Sequence, residues 1–150
     1  MKIFILRHGQ AEAFSTNDFS RRLTSKGAAD TQQMVTDNQE FLSTIRHVYA
    51  SPLLRAQQTA EIATELLGIK SITTNSLLEP DIATKQVFNW LVEVNENSLI
   101  VSHLPLVGLL ANQLCGFQSN RLQFNTSSLI GIECDIAAPG LGNLILERHI

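Results

Sequence analysis

Three short segments place reactive side chains directly behind apolar runs. Ile3-Phe4-Ile5-Leu6 leads into Arg7-His8-Gly9, His47-Val48-Tyr49-Ala50 into Ser51-Pro52-Leu53-Leu54-Arg55, and Ser98-Leu99-Ile100-Val101-Ser102 into His103. Two guanidiniums carry permanent charge, and their paired N–H donors match the geometry of phosphate oxygens. A neutral imidazole nitrogen is a competent nucleophile toward phosphorus. A second imidazole can donate to a phosphoryl oxygen as charge moves onto it. Gly9 lets the backbone turn sharply and come close to a ligand. No carboxylate cluster for magnesium stands beside these residues, so the chemistry read here is phosphoryl transfer without a metal or cofactor.

Each residue alone has an ordinary explanation. A histidine behind a strand is more often structural than reactive, and an arginine opening a helix is more often solvated than bound to a ligand. The shared placement changes the balance. In open α/β sheets, ligands bind outside the carboxyl ends of the strands. If the three apolar runs are parallel strands, Arg7, His8, Arg55 and His103 converge on one mouth.

The elements needed to hold that mouth can be read from the pattern. Continuous apolar runs such as residues 3–6 suit strands covered on both faces. Thr24 can cap a helix continuing to about Leu42, past Gly27. A helix is predicted from Leu54 to Leu67, with Gly68 just beyond its end. Ile69 to Thr73 reads as a weaker strand. Asp81 to Val94 has helical spacing through Val87, Phe88, Leu91 and Val92. Pro105 suits the first turn of a helix that runs to Leu114 and stops at Gly116. Leu129 to Cys134 and Leu144 to Leu146 read as two strands, antiparallel to each other, around the turn Ala138-Pro139-Gly140. Strands alternating with helices predict an α/β fold: a three-layer α/β/α sandwich around a mostly parallel sheet, antiparallel at its C-terminal end.

Composition agrees with one such domain over residues 1–150. The chain is 44% hydrophobic and 17% charged, which excludes intrinsic disorder as its main description. Eleven basic against fourteen acidic residues give a net charge of −3, which argues against a strongly basic nucleic-acid binder. No apolar run has the length of a membrane helix or a secretory signal, so a cytoplasmic protein is expected. Cys115 and Cys134 form neither a C-x-x-C pair nor a Cys/His cluster, so neither a disulfide framework nor a zinc site is suggested.

Leu6-Arg7-His8-Gly9, Arg55 and the distant His103 together resemble the histidine phosphatase superfamily. Asp18, Arg21, Leu23, Thr24 and Gly27 resemble the family's segment after the first loop. Residues 51–60, SPLLRAQQTA, resemble its second signature. Val101-Ser102-His103-Leu104-Pro105-Leu106-Val107-Gly108 resembles the small SixA-type branch, the phosphohistidine phosphatases. The resemblance implies a phosphoglycerate-mutase-like fold, His8 as a nucleophile that carries the phosphoryl group transiently, and Arg7, Arg55 and His103 as holders of its oxygens. It also places Arg21, Gly9 and Leu104 against the substrate. Glu79, in Leu77-Leu78-Glu79-Pro80, is the best positional candidate for a general acid, although a solvated loop carboxylate is the preferred reading of it. The implied partner is the phosphorylated histidine-phosphotransfer domain of a hybrid sensor kinase, met by a monomer. A phosphatase or mutase for small phosphate esters, or a non-catalytic phospholigand-binding module, are the other readings.

Cys115 and Arg121 are spaced C-x₅-R, as in cysteine-dependent phosphatases. That chemistry needs a low-pKa thiolate between a strand and a helix, whereas Cys115 falls at a predicted helix end with one glycine among the five intervening residues. His47 is expected to be exposed or edge-packed, His149 to share the disorder common at termini, and Trp90 to be core. Asn125, Thr126 and Ser127 are candidates to support the pocket from behind.

Overall fold

The computed structural model describes residues 1–118 and 120–150, and its chain alternates strands and helices as the pattern requires. The elements are β1 (Lys2–Arg7), α1 (Ser25–Asp37), α2 (Gln39–Leu42), β2 (His47–Ala50), α3 (Leu54–Leu67), β3 (Ile72–Thr74), α4 (Thr84–Val94), β4 (Ser98–Ser102), α5 (Leu106–Cys115), β5 (Leu129–Glu133) and β6 (Asn143–Arg148). Two short 3₁₀ turns lie at Asp18–Ser20 and Ser76–Leu78.

The six strands form one sheet in the order β3-β2-β4-β1-β5-β6. β3, β2, β4 and β1 are mutually parallel; β5 runs against β1, and β6 runs against β5. The reversed strand is therefore β5, and β6 returns to the direction of the first four. Successive side chains of a strand point to opposite faces. Ile3 and Ile5 accordingly join Val87, Leu91, Leu106 and Leu110 beneath α4 and α5. Phe4 and Leu6 join Met34, Val35, Ala56 and Ala60 beneath α1 and α3. Both faces of β1 are thus covered, which is why its sequence is a continuous apolar run.

The local differences from expectation have identifiable causes. The predicted helix from Thr24 to about Leu42 breaks at Asn38. The Asn38 side-chain amide donates to the Met34 carbonyl at 2.9 Å, the acceptor its own backbone N–H would need for the helix to continue. β3 begins at Ile72 rather than Ile69 because Ile69 is used to end α3. Gly68 adopts a left-handed conformation (φ 68°), and the Ile69 N–H closes onto the Thr64 carbonyl at 3.0 Å. α4 starts at Thr84 rather than Asp81, after a turn in which the Ile82 N–H reaches the Glu79 carbonyl.

His149 is not loose: its Nδ1 lies 2.7 Å from the Ser128 hydroxyl. His47 is exposed and pairs with Glu96. Trp90 is half-buried at the margin of the core and meets the Tyr49 ring edge-on, with centroids 4.8 Å apart.

Candidate active site

The parallel strands β1, β2 and β4 end at the same edge of the sheet, and this brings the reactive residues together. His8, one residue past β1, donates its backbone N–H to the Ser102 carbonyl of β4 at 3.0 Å. Ser51, one residue past β2, donates its backbone N–H to Val101 of the same strand at 3.1 Å. Arg7 is the last residue of β1 rather than the first after it. Its N–H bonds to the Ser128 carbonyl, while the Ser127 N–H approaches the carbonyls of both Arg7 and His8. Ser127 takes φ 62° to do so, and its hydroxyl lies 3.0 Å from that of the buried Thr31 on α1.

Gly9 faces α1. A β-carbon there would fall 2.7 Å from the Gly27 carbonyl oxygen and 2.8 Å from the Thr31 hydroxyl, and one on Gly27 would fall 2.1 Å from the Gln10 carbonyl oxygen. The two glycines let the loop after β1 lie directly on the first turn of α1. The missing side chain of Gly9 makes room for this helix. The Gly9 N–H donates to the Thr59 hydroxyl at 3.0 Å, and that hydroxyl donates to the Arg55 carbonyl at 2.7 Å. The first loop is thereby tied to the first turn of α3, where Arg55 sits.

The two histidine rings lie 5.0 Å apart between centroids, tilted by 54°. His8 Nδ1 lies 2.7 Å from the Gly9 carbonyl, which can only accept, so Nδ1 carries the hydrogen. Its Nε2 accepts from Arg55 Nε at 3.4 Å and is therefore the nitrogen with the lone pair. Burial pushes the His8 pKa down to about 4; the Gly9 hydrogen bond opposes this, and the positive charges of Arg55, Arg7 and Arg21 add to it. His103 is also driven far below the ordinary histidine range, first by burial, then by His8 and the same arginines. Both rings are neutral at pH 7, the state a nucleophilic imidazole requires.

Arg55 is almost wholly buried. Its Nη1 donates to the Asp18 backbone carbonyl at 2.8 Å and its Nη2 to the Asp18 carboxylate at 3.3 Å. Arg21 Nε donates to the other Asp18 oxygen at 3.1 Å. Desolvation works against ionisation of Asp18, but Arg55 and then Arg21 hold its carboxyl below the usual range. Arg7 Nη1 donates to the Phe124 carbonyl at 3.0 Å, while its Nε is buried without a partner. The His103 Nδ1 is buried without a partner as well. These unpaired donors stand beside a lone-pair nitrogen and a second buried guanidinium. Such an arrangement suits an oxyanion that fills the unmet valences.

Leu104 follows His103 and is exposed, lining a cleft of about 340 Å³ with Leu109, Leu122 and Phe124. Glu79 is tied to the same region through its neighbour Leu78, whose carbonyl accepts from the Ser102 hydroxyl at 2.7 Å. Its carboxylate shares no hydrogen bond with the arginines and histidines of the cluster. Of the three residues proposed as supports, Ser127 makes the direct backbone contacts with Arg7 and His8. Sequence reasoning assigned no role to Ser51, Thr59 or Thr31. The first two lie inside the second signature, at the strand end and one turn beyond Arg55. Thr31 carries only its four-residue spacing from Gly27.

The C-x₅-R pair stands apart from this cluster. Cys115 ends α5, and burial raises its thiol pKa, the wrong direction for a thiolate nucleophile. Arg121 lies over the Phe117 ring at 4.3 Å. Ser119, between them, lies outside the described residues. Cys115→Ser is accordingly expected to keep most of the phosphatase activity. Inactivation of a well-folded variant would move the chemistry from His8 to the thiol.

The mixed six-stranded sheet and the paired arginines and histidines at its mouth define a phosphoryl-transfer class of protein. The chain belongs to the histidine phosphatase superfamily, whose branch 1 model matches residues 3–87. It is 31% identical over 148 residues to the phosphohistidine phosphatase SixA of Escherichia coli K12, covering 95% of this chain and 91% of that one. It superposes on the structure of the protein histidine phosphatase SixA complexed with tungstate with a TM-score of 0.89 at 30% identity, covering 98% and 96% of the two chains. A SixA-like structure from Agrobacterium tumefaciens shares the fold at a TM-score of 0.84 and 16% identity, covering 99% and 97%.

Proposed function

We propose that the protein removes the phosphoryl group from a histidine of another protein, the histidine-phosphotransfer domain of a hybrid sensor kinase. The observation that carries this reading is the polarity of His8: Nδ1–H is tied back to Gly9, and the Nε2 lone pair is left beside the Arg55 guanidinium. In the first step Nε2 attacks phosphorus. The P–N bond to the substrate imidazole breaks, and that nitrogen takes a proton as it leaves. In the second step water attacks phospho-His8, releasing inorganic phosphate and restoring the neutral ring. Arg7, Arg55 and His103 hold the phosphoryl oxygens in both steps. A phosphoramidate nitrogen can be protonated from solvent, so this substrate does not demand an acid from Glu79; a phosphate ester would.

The surroundings of the mouth favour a protein substrate. Phe14 and Phe19 on the loop after β1 are 90% and 52% exposed, and Leu104, next to His103, is 42% exposed. Apolar side chains standing in water around a charged centre suit a partner that covers them. A small ester offers little to cover them with. No helix among the described residues is long and apolar enough to cross a membrane. In this reading the chain works as a single domain and a monomer in the cytoplasm, where its partner's phosphotransfer domain is reached by diffusion. The likeness to phosphohistidine phosphatases supports the same substrate class. The test compares kcat/KM for a phosphorylated histidine-phosphotransfer domain with values for a panel of sugar phosphates and phosphoserine and phosphotyrosine peptides. The phosphorylated domain should lead by at least about tenfold, a difference of about 1.4 kcal/mol. Preference for a small ester by that margin would put a metabolic phosphatase in its place.

A further inference from the structure

We infer that Ser51 is a positioning residue that holds His103 in the tautomer with its hydrogen on Nδ1, so that the two histidines present opposite faces to the same phosphoryl group. The argument is a count of donors and acceptors at one buried hydroxyl. Ser51 is completely buried, and its Oγ has two partners. The Leu53 backbone N–H, at 3.3 Å, can only donate. The other partner is His103 Nε2, at 2.7 Å. The hydroxyl hydrogen has one acceptor within reach, and that acceptor is Nε2. The alternative tautomer would put hydrogen on Nε2 and face the hydroxyl with two donors, leaving its own hydrogen buried and unmet, an arrangement buried polar groups avoid.

With Nε2 engaged as an acceptor, a neutral ring carries its proton on Nδ1, the buried atom that lacks a partner. The contrast with His8 is then complete. Both rings are Nδ1–H, but the Gly9 carbonyl takes the Nδ1–H of His8 and leaves a lone pair, while Ser51 takes the Nε2 of His103 and leaves a donor. One neutral ring attacks phosphorus and the other hydrogen-bonds a phosphoryl oxygen, with no net charge required on either. This inference rests on the phosphoryl-transfer reading of the site and is independent of which phosphorylated molecule is the substrate.

The first readout needs no substrate. Nitrogen NMR of isotope-labelled protein at neutral pH distinguishes protonated from unprotonated ring nitrogens. The wild type is expected to show His103 protonated at Nδ1 and unprotonated at Nε2, and Ser51→Ala to show a mixture or the reverse. Wild-type His103 protonated at Nε2 overturns the inference whatever the kinetics.

The second readout is the pH profile with an aryl phosphate. The charged or titratable groups around His103 are His8, Arg55, Arg7 and Arg21, and the arginines keep their charge throughout. Ser51→Ala should lower kcat by at least about tenfold at pH 7, up to the 10²–10³ typical of a lost transition-state donor. The loss should stay nearly constant from about pH 7 to about pH 5, because burial and the neighbouring arginines keep the His103 ring neutral over that range and the tautomer matters throughout. Ser51→Thr, which keeps the hydroxyl, should recover most of the rate. A loss in Ser51→Ala that disappears between about pH 7 and about pH 5 would show a His103 ring that charges in that range, and an equal loss in Ser51→Thr with wild-type NMR signals would assign Ser51 a packing role; either result overturns the inference. Failure of the phosphohistidine reading would appear separately, as a small-ester preference in the wild type.

Discussion

His8→Ala is expected to lower phosphatase turnover by more than about 10³-fold and to abolish a covalent phosphoenzyme, because the lost group is the nucleophile and the remaining residues only hold the phosphoryl oxygens. Rapid mixing with substrate and an alkaline quench should trap phosphate on the wild type as an acid-labile, alkali-stable adduct, and none on the variant. The pH dependence follows from the direction of the His8 shift. The reactive form is the neutral ring, and burial has moved its pKa down to about 4. Turnover should therefore survive acidification through the ordinary histidine range and fall only as pH drops through about 4, when Nε2 takes a proton. Arg55 contributes to that depression, so Arg55→Ala should move the acid limb upward, since removal of a neighbouring positive charge favours the imidazolium. Full turnover in His8→Ala, or an acid limb near the unperturbed histidine pKa of about 6.5, would remove His8 from the nucleophile's role.

Arg55→Lys should lower kcat by about 10²–10³, although charge is retained. The guanidinium uses three nitrogens at once: Nε on His8, Nη1 on the Asp18 carbonyl and Nη2 on the Asp18 carboxylate. An ammonium is a point charge and cannot serve that fork. The acid limb should stay near its wild-type position in Arg55→Lys, since the charge that depresses His8 remains, and this distinguishes it from Arg55→Ala. Arg22→Lys, at an exposed position on the segment that carries Asp18, is the control and should be silent. Near-wild-type turnover in a folded Arg55→Lys would place Arg55 outside the phosphoryl contacts.

Much of the site could be read from the sequence because its four central residues obey a local rule, each lying at the end of a strand or in the first turn of the following helix. α3 appears with its expected bounds, since Gly68 ends it by backbone conformation alone. The features that escaped are those decided between distant residues. The Ser51 hydroxyl meets His103 across 52 positions, and Thr31 meets Ser127 across 96. Neither pairing leaves a periodic trace. The break at Asn38 turned on competition between a side-chain amide and the backbone for one carbonyl, a contest that helical periodicity does not register. The packing of Gly9 against α1 escaped as well, because the absence of a side chain looks the same in a sequence whether a ligand or a helix occupies the space.

The order of the strands also bears on how the molecule is made. β1 lies between β4 and β5, and its first residue, Lys2, donates its backbone N–H to Asn97, 95 positions away. Pairings of such separation close late, because the entropy of a long loop is lost before the contacts that compensate for it form. The helices and the β5–β6 ladder are comparatively local, but Arg7 and His8 meet His103 only when β1 and β4 join. Synthesis imposes the same sequence of events, since the emerging chain carries its nucleophile for most of its length before β4 exists. Catalytic competence therefore waits on the pairing of β1 with β4, and a chain that ends before β4 carries the nucleophile without His103.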